Sequence, residues 1–347
     1  MTAIAFEHYQ SARAGAQPVA CDPSLVSPVS GQDLVFMPSG GLATADGRER
    51  YGIDNGVLCL FIDDSRVDPR PSVTTTVQAF YEETPFPNYN EFDSLDNFLK
   101  RAAEGRFANL LSGQIPIGAK VLEVGCGTGQ LSNFLAATCM AHIYASDMTR
   151  ASLRLGQAFA AKHDIPGITF LQMNLFKPCI RPRSIDIVIA NGVLHHTADT
   201  RRAFLSIAPL VKPGGHVVIG LYNTIGRVRT DLRRVLFNLF GERVLVLDPY
   251  LRGYLSEEKR RAWIKDQYCH PQERKHTMSE VLRWFGEAGF SFVSSIPRIR
   301  GHFKPNEPLF QPQDPGSEID RLGTELATIF THGWEGGLFI MIGRRTA

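Results

Sequence analysis

The sequence predicts an α/β protein built on a doubly wound, mostly parallel sheet of seven strands, with a small N-terminal β-rich unit and a helical insertion. Three observations carry this. From residue 119 onward, apolar runs of strand length alternate with segments of helix length, the pattern of a parallel sheet covered on both faces. A glycine-rich turn joins the first of these strands to the first helix. The composition is that of a globular chain, with 44% hydrophobic and 21% charged residues among 347. At roughly 150 residues per domain that length suggests about two domains.

Composition also excludes some functions. With 37 basic against 35 acidic residues and a net charge of +2, the chain is no wholesale polyanion binder, which disfavours nucleic acid as a partner. No apolar run approaches the ~18–20 residues of a membrane span. The six cysteines include no C-x-x-C pair, so neither a disulfide framework nor a thiolate metal site is expected, and a reducing cytoplasm is the expected location.

The elements follow in order. Residues 1–70 form the β-rich unit behind a loose N-terminus. Its short runs at 34–37, 47–53 and 57–62 are divided by glycine turns, and Asp54-Asn55-Gly56 suits a tight hairpin. Residues 71–114 read as a helical linker or lid, broken by the prolines of TPFPNYNEF. The main domain spans 115–347. Its strands are expected at 119–125, 142–147, 168–174, 184–191, 216–223, 290–296 and 337–345. The helix before the fifth strand should end at Lys212-Pro213-Gly214-Gly215. Residues 224–276 break the alternation and read as a helical insertion. Thr277-x-x-Glu280 is a capping box that opens a helix closed by Gly289.

The chemistry lies in Glu123-Val124-Gly125-Cys126-Gly127-Thr128-Gly129-Gln130. A dinucleotide fingerprint wants a third glycine where Gln130 stands, and a carboxylate at Glu123 would repel a pyrophosphate. The same carboxylate suits a ligand with an ammonium group and no phosphate, such as S-adenosylmethionine. Asp147 closes the second strand, where a carboxylate can accept both ribose hydroxyls. Asn174 ends the third strand and could meet the adenine edge through its amide. Cys126 reads as a small residue permitting backbone approach.

With these motifs, and with YASDMT, FLQMNLF, DIVIANGVLHHT and LVKPGGHVVIGLYN following in order, residues 115–347 resemble the Rossmann-like (class I) S-adenosylmethionine-dependent methyltransferases. VLHHT and KPGG are most similar to the ubiquinone/menaquinone-biosynthesis type, which acts on small molecules. The resemblance implies that Glu123, Gly125, Gly127 and Gly129 form the turn beside the methionine end. It puts Asp147 at the ribose, Met173 and Asn174 around adenine, and Asn191 and Gly192 beside the methionine moiety, with Met148 also among the cofactor-binding residues. Many relatives carry Asp where this chain has Asn174. The 24–63 segment resembles Trm112-like methyltransferase activators, whose cysteine pairs hold zinc. Ser27 and Ser30 stand where one pair would be, which implies a lost metal site and a unit docked on the main domain.

On the acceptor side, His195 and His196 follow the fourth strand. They are candidate general bases, or else capping and packing residues. Tyr222 and Asn223 end the fifth strand and are expected to face the substrate. Tyr81, Phe86 and Tyr89 read as an aromatic lid or as a packing belt. Arg227, Arg229, Arg233 and Arg234 lie on an amphipathic helix and read as a solvated face, with an anionic substrate or peripheral membrane contact as the alternative. His270, Glu273 and His276 match no metal signature; loop and capping roles are expected, or reach into the pocket from the insertion. A small-molecule methyltransferase is the expected function. An RNA or protein methyltransferase docking through its N-terminal unit, or a non-catalytic binder of the cofactor, are the alternatives.

Overall fold

The structure is a computed structural model that describes residues 17–63, 73–83, 85, 89, 94–248, 251, 257–269, 272–330 and 337–346. Phe86 and His270 lie outside these residues.

The N-terminal unit contributes β1 (Val19–Ala20), β2 (Leu34–Phe36), β3 (Leu42–Thr44), β4 (Arg50–Asp54) and β5 (Val57–Cys59). Asn55 and Gly56 turn the last hairpin with φ of 48° and 87°, as a type I′ turn demands. Helices α1 (Val73–Glu83), α2 (Leu95–Glu104) and α3 (Arg106–Ser112) follow. The main domain then alternates β6 (Lys120–Val124), α4 (Gln130–Thr138), β7 (His142–Asp147), α5 (Arg150–Lys162), β8 (Ile168–Gln172), β9 (Ile185–Asn191), α6 (Thr200–Ile207) and β10 (Val211–Tyr222). Helices α7 (Val228–Phe240) and α8 (Glu257–Cys269) form the insertion. Then come α9 (Met278–Glu287), β11 (Phe290–Ile296), α10 (Glu318–Phe330) and β12 (Leu338–Arg345).

The strands order as β1-β2-β3-β4-β5-β8-β7-β6-β9-β10-β12-β11. The seven expected strands are therefore the part from β6 on, and the described sheet has twelve. The reason is register: β5 pairs in parallel with β8, Leu58 opposite Leu171 and Cys59 opposite Gln172. The N-terminal unit is thus a continuation of the sheet, where docking was expected. It is also pinned from below, because Asp22 accepts from Lys120 Nζ at 3.1 Å and from the Tyr144 hydroxyl at 2.8 Å. Ser27 and Ser30 both donate to Glu49, and Ser27 shares a hydrogen bond with Tyr51 at 2.9 Å. Hydrogen bonds hold together the turn where cysteine ligands were sought.

Strand β12 runs antiparallel to both β10 and β11. Lys212-Pro213-Gly214-Gly215 lies inside β10 as an irregularity between Val211 and His216, so the preceding helix stops earlier, at Ile207. The Thr277 capping box is present, with Glu280 N donating to Thr277 Oγ1 at 3.2 Å and Thr277 N to Glu280 at 2.7 Å. Among the described residues no helix is long and apolar enough to cross a membrane, and no cluster of His, Cys, Asp or Glu could hold a metal.

Candidate active site

The carboxyl ends of β6, β7, β9 and β10 meet at one edge of the sheet, where open α/β folds bind ligands. Two corners form there.

The first is the glycine turn between β6 and α4. Gly125, Gly127 and Gly129 have φ of 67°, 55° and 74°, values that disfavour any side chain. A Cβ on Gly125 would overlap Val193, and one on Gly129 would stand 2.9 Å from Phe170. The turn is stitched to β7: Cys126 N donates to Ser146 O at 2.9 Å and Gly127 N to Asp147 Oδ2 at 2.9 Å. Tyr89 supports it from behind, donating to Thr128 O at 2.9 Å, accepting from Asn133 at 2.8 Å and stacking on Phe159 at 4.3 Å. Tyr89 is therefore part of a packing belt and not of a lid.

Two buried acids face this turn. Glu123 accepts the Ser132 hydroxyl. Burial, with repulsion from Asp147 added, pushes the Glu123 carboxyl up to about 7 despite that bond. Burial also raises Asp147, against hydrogen bonds from Thr149, Gly127 and Met148. Asp147 Oδ1 takes the Thr149 N–H at 2.8 Å and hydroxyl at 2.7 Å, and Oδ2 takes Gly127 N. With the Met148 N–H the carboxylate receives four such bonds, about its capacity, where two ribose hydroxyls were expected. Burial raises Cys126 well above the ordinary thiol range, which makes it inert as a nucleophile.

Met148 presents its carbonyl to Gln78 at 2.9 Å and Gln172 at 3.1 Å. Glu82 receives the N–H groups of Arg150, at 2.6 Å, and Ala151, at 3.1 Å. Helix α1 thus closes the rim of this corner, a role with no motif to announce it. Met173 is buried. Asn174 corrects an expectation: its Nδ2 donates to Ile62 O at 3.0 Å and its Oδ1 accepts Phe176 N at 3.0 Å. Its amide pins the chain leaving β5 and is not presented to a ligand.

Asn191 ends β9, two residues beyond Ile189, which sits opposite Glu123. Asn191 Oδ1 is buried without a hydrogen-bond partner, and a Cβ on Gly220 would collide with it. Gly192 has φ of 79° with open space where a Cβ would sit.

The second corner lies over β9 and β10. His195 is 0% exposed and its ring packs on Tyr222 at 4.2 Å. It is a core residue beneath Tyr222, so a base at the acceptor is not its geometry. His196 Nδ1 lies 2.9 Å from Gln272 O. The Tyr222 hydroxyl accepts from Gln267 Nε2 at 3.0 Å, and its ring lies 3.6 Å beneath the Arg227 guanidinium. Arg227 is fully buried. It donates to Glu273 at 3.1 and 2.8 Å and to Gln267 at 2.8 Å, and Arg234 reaches Glu273 at 3.0 Å. The expected solvated face therefore turns partly inward, because the insertion supplies acids for it. Burial alone would raise Glu273, but Arg227 and then Arg234 hold it down at about 2. Asn223 Oδ1 accepts the N–H groups of Ile225, at 2.9 Å, and Gly226, at 2.8 Å, and so shapes the turn and not the substrate side. His276 bonds Thr200 at 2.9 Å and packs on Trp284.

Residues 122–219 match the family described as Methyltransferase domain. An uncharacterized protein of Synechococcus sp. is 28% identical over 66% of this chain and 61% of its own length. A ubiquinone biosynthesis O-methyltransferase of Proteus mirabilis is 33% identical over 38% of this chain and 48% of its own. The structure of PKMT2 from Rickettsia typhi in complex with AdoHcy aligns with a TM-score of 0.49 and 15% identity, covering 70% of this chain and 52% of that one. The chain thus spans about half to three-fifths of the curated relatives it matches.

Proposed function

We propose that this chain, whose residues 122–219 form a methyltransferase domain, transfers a methyl group from S-adenosylmethionine to a small-molecule acceptor. The observation that carries the reading is the pair of buried acids on a phosphate-hostile glycine turn, with the unpartnered Asn191 Oδ1 at the end of the neighbouring β9.

The residues fit the cofactor's groups. Glu123 and Asn191 supply acceptors for its ammonium, and Gly125 and Gly192 leave the backbone open to it. Asp147 meets a ribose hydroxyl by exchanging one of its present donors. Met148 and Met173 border the adenine side, with Asn174 holding that loop in place. When bound, the cofactor supplies an electrophilic methyl on a sulfonium, so alignment contributes more than proton transfer. On the acceptor side, Tyr222 and His196 border the site and the insertion excludes water. His195 positions Tyr222 from below. A phenol, thiol or enolate needs little base assistance, so the buried His195 is not required as a base. The relative's name, ubiquinone biosynthesis O-methyltransferase, supports a small acceptor. An N-terminal unit built into the sheet edge does not favour a separate docking module for RNA or protein.

Transfer of a tritiated methyl group to fractionated cell extract, with the labelled product identified by mass, tests this. Label in a small-molecule fraction is expected; label confined to RNA or protein would reject the reading.

A further inference from the structure

The helix α10 is turned inside out. Its polar side faces the protein: Glu325 is 3% exposed and accepts Met278 N at 2.6 Å, Arg321 donates to Ser279 at 2.8 Å, and Thr324 to Ile299 O at 3.2 Å. Its apolar side, Ile319, Leu322, Leu326 and Phe330, is 45–81% exposed. These residues recur at helical spacing, so they form one stripe. Helix α7 does the same with Val228, Leu232, Val235 and Leu239, 51–70% exposed, and Phe240 extends it. The start of α7 adjoins the inner side of α10, because a Cβ on Gly226 would stand 2.5 Å from Thr328.

A folded monomer gains nothing from exposing two such stripes. Side chains of this size have full surfaces on the order of 150–200 Å² each, so the nine present roughly 800–1,000 Å². That matches the ~800 Å² that each partner contributes to a stable interface. Charge selects the occupant. The exposed charges at the edge of α7 include Arg229, and Arg243 follows the helix; the exposed end of α10 carries Glu318. Neither helix contains a lysine, and the one arginine of α10 turns inward. An interfacial membrane helix wants a strongly basic flank, which α10 lacks. A basic edge on one helix and an acidic end on the other complement each other when a two-fold axis brings them together.

We propose that these two faces are the interface of a homodimer, with α7 of one copy against α10 of the other. Sedimentation velocity of the full chain across the micromolar range should show a dimer. Leu326→Asp and Leu232→Asp should each weaken it by about tenfold or more, since each would bury an unpaired carboxylate. Both leucines face solvent in the single chain, so dilute variant protein should melt as wild type does. If either aspartate variant fails to fold, Leu326→Ser and Leu232→Ser replace it in the same measurement. A chain monomeric throughout, or a dimer indifferent to these substitutions, would overturn the proposal. So would monomeric protein that co-sediments with phosphatidylcholine/phosphatidylglycerol vesicles and loses that property on Leu326→Asp, which would assign the face to a bilayer.

Discussion

The two corners of the site are built in opposite ways. The glycine-turn corner is made from backbone: positive-φ glycines, N–H groups on Asp147, and strand ends brought together by neighbouring registers. The corner over β10 is made from side chains that are far apart in sequence, Arg227 with Glu273 and Tyr222 with Gln267. Their acids respond oppositely as well. Glu123, facing Asp147 with no cation near it among the described residues, is pushed up to about 7, whereas Glu273 between two arginines is held down at about 2. The first corner is prepared for an incoming positive charge. The second has already supplied its own.

The largest expected effect breaks the second corner. Arg227→Ala leaves the buried Glu273 with Arg234 alone, and should cost about 3 kcal/mol of stability, the low end for a broken buried pair. Thermal melts should show this, and an Arg227→Met/Glu273→Leu double variant should melt closer to wild type than Arg227→Ala alone. In the first corner, Gly125→Val meets both the positive φ and the Val193 side chain. It should weaken cofactor binding by about 100-fold, or roughly 2.7 kcal/mol, measured by calorimetric titration, while Gly192→Ala, with open space at its Cβ, should do less.

The pH response sharpens the contrast. A carboxyl whose folded value lies above its unfolded one loses stability as pH rises from the ordinary carboxylate range through about 7. A bound ammonium favours the ionised form, so affinity for S-adenosylmethionine should climb by up to about tenfold per pH unit below 7 and level off above it. Glu123→Gln should flatten that profile. Glu273 is lowered instead, so its stabilisation is present above the ordinary carboxylate range and lost only as pH falls towards 2. The smallest effect should come from Tyr222→Phe, which removes one hydrogen bond to Gln267. About 1 kcal/mol of stability is expected, with KM for the acceptor rising more than kcat falls.

How much was legible follows the same division. The strand that carries Glu123, the positive-φ glycine turn and the helix start after it were readable because local sequence alone sets them. The strands from β6 to β10 were readable as elements because parallel strands buried on both faces leave continuous apolar runs; their order in the sheet was not read. The union of β5 with β8 was not, since edge pairing leaves no periodicity that differs from a free hairpin. Asn174 was misassigned for a related reason: its partner Ile62 lies 112 residues away. The arginines of α7 looked solvated because the acid they meet arrives from beyond α8. His195 resembled a base because position at a strand end is visible in sequence, while its complete burial under Tyr222 is not.

The most direct test is calorimetric titration of S-adenosylmethionine and S-adenosylhomocysteine into wild type and Asp147→Ala. Saturable binding of both ligands to wild type, lost or greatly weakened in the variant, is the expected result. No binding of either ligand, equal binding in the variant, or preferred binding of a phosphate-bearing dinucleotide would contradict the assignment of this corner.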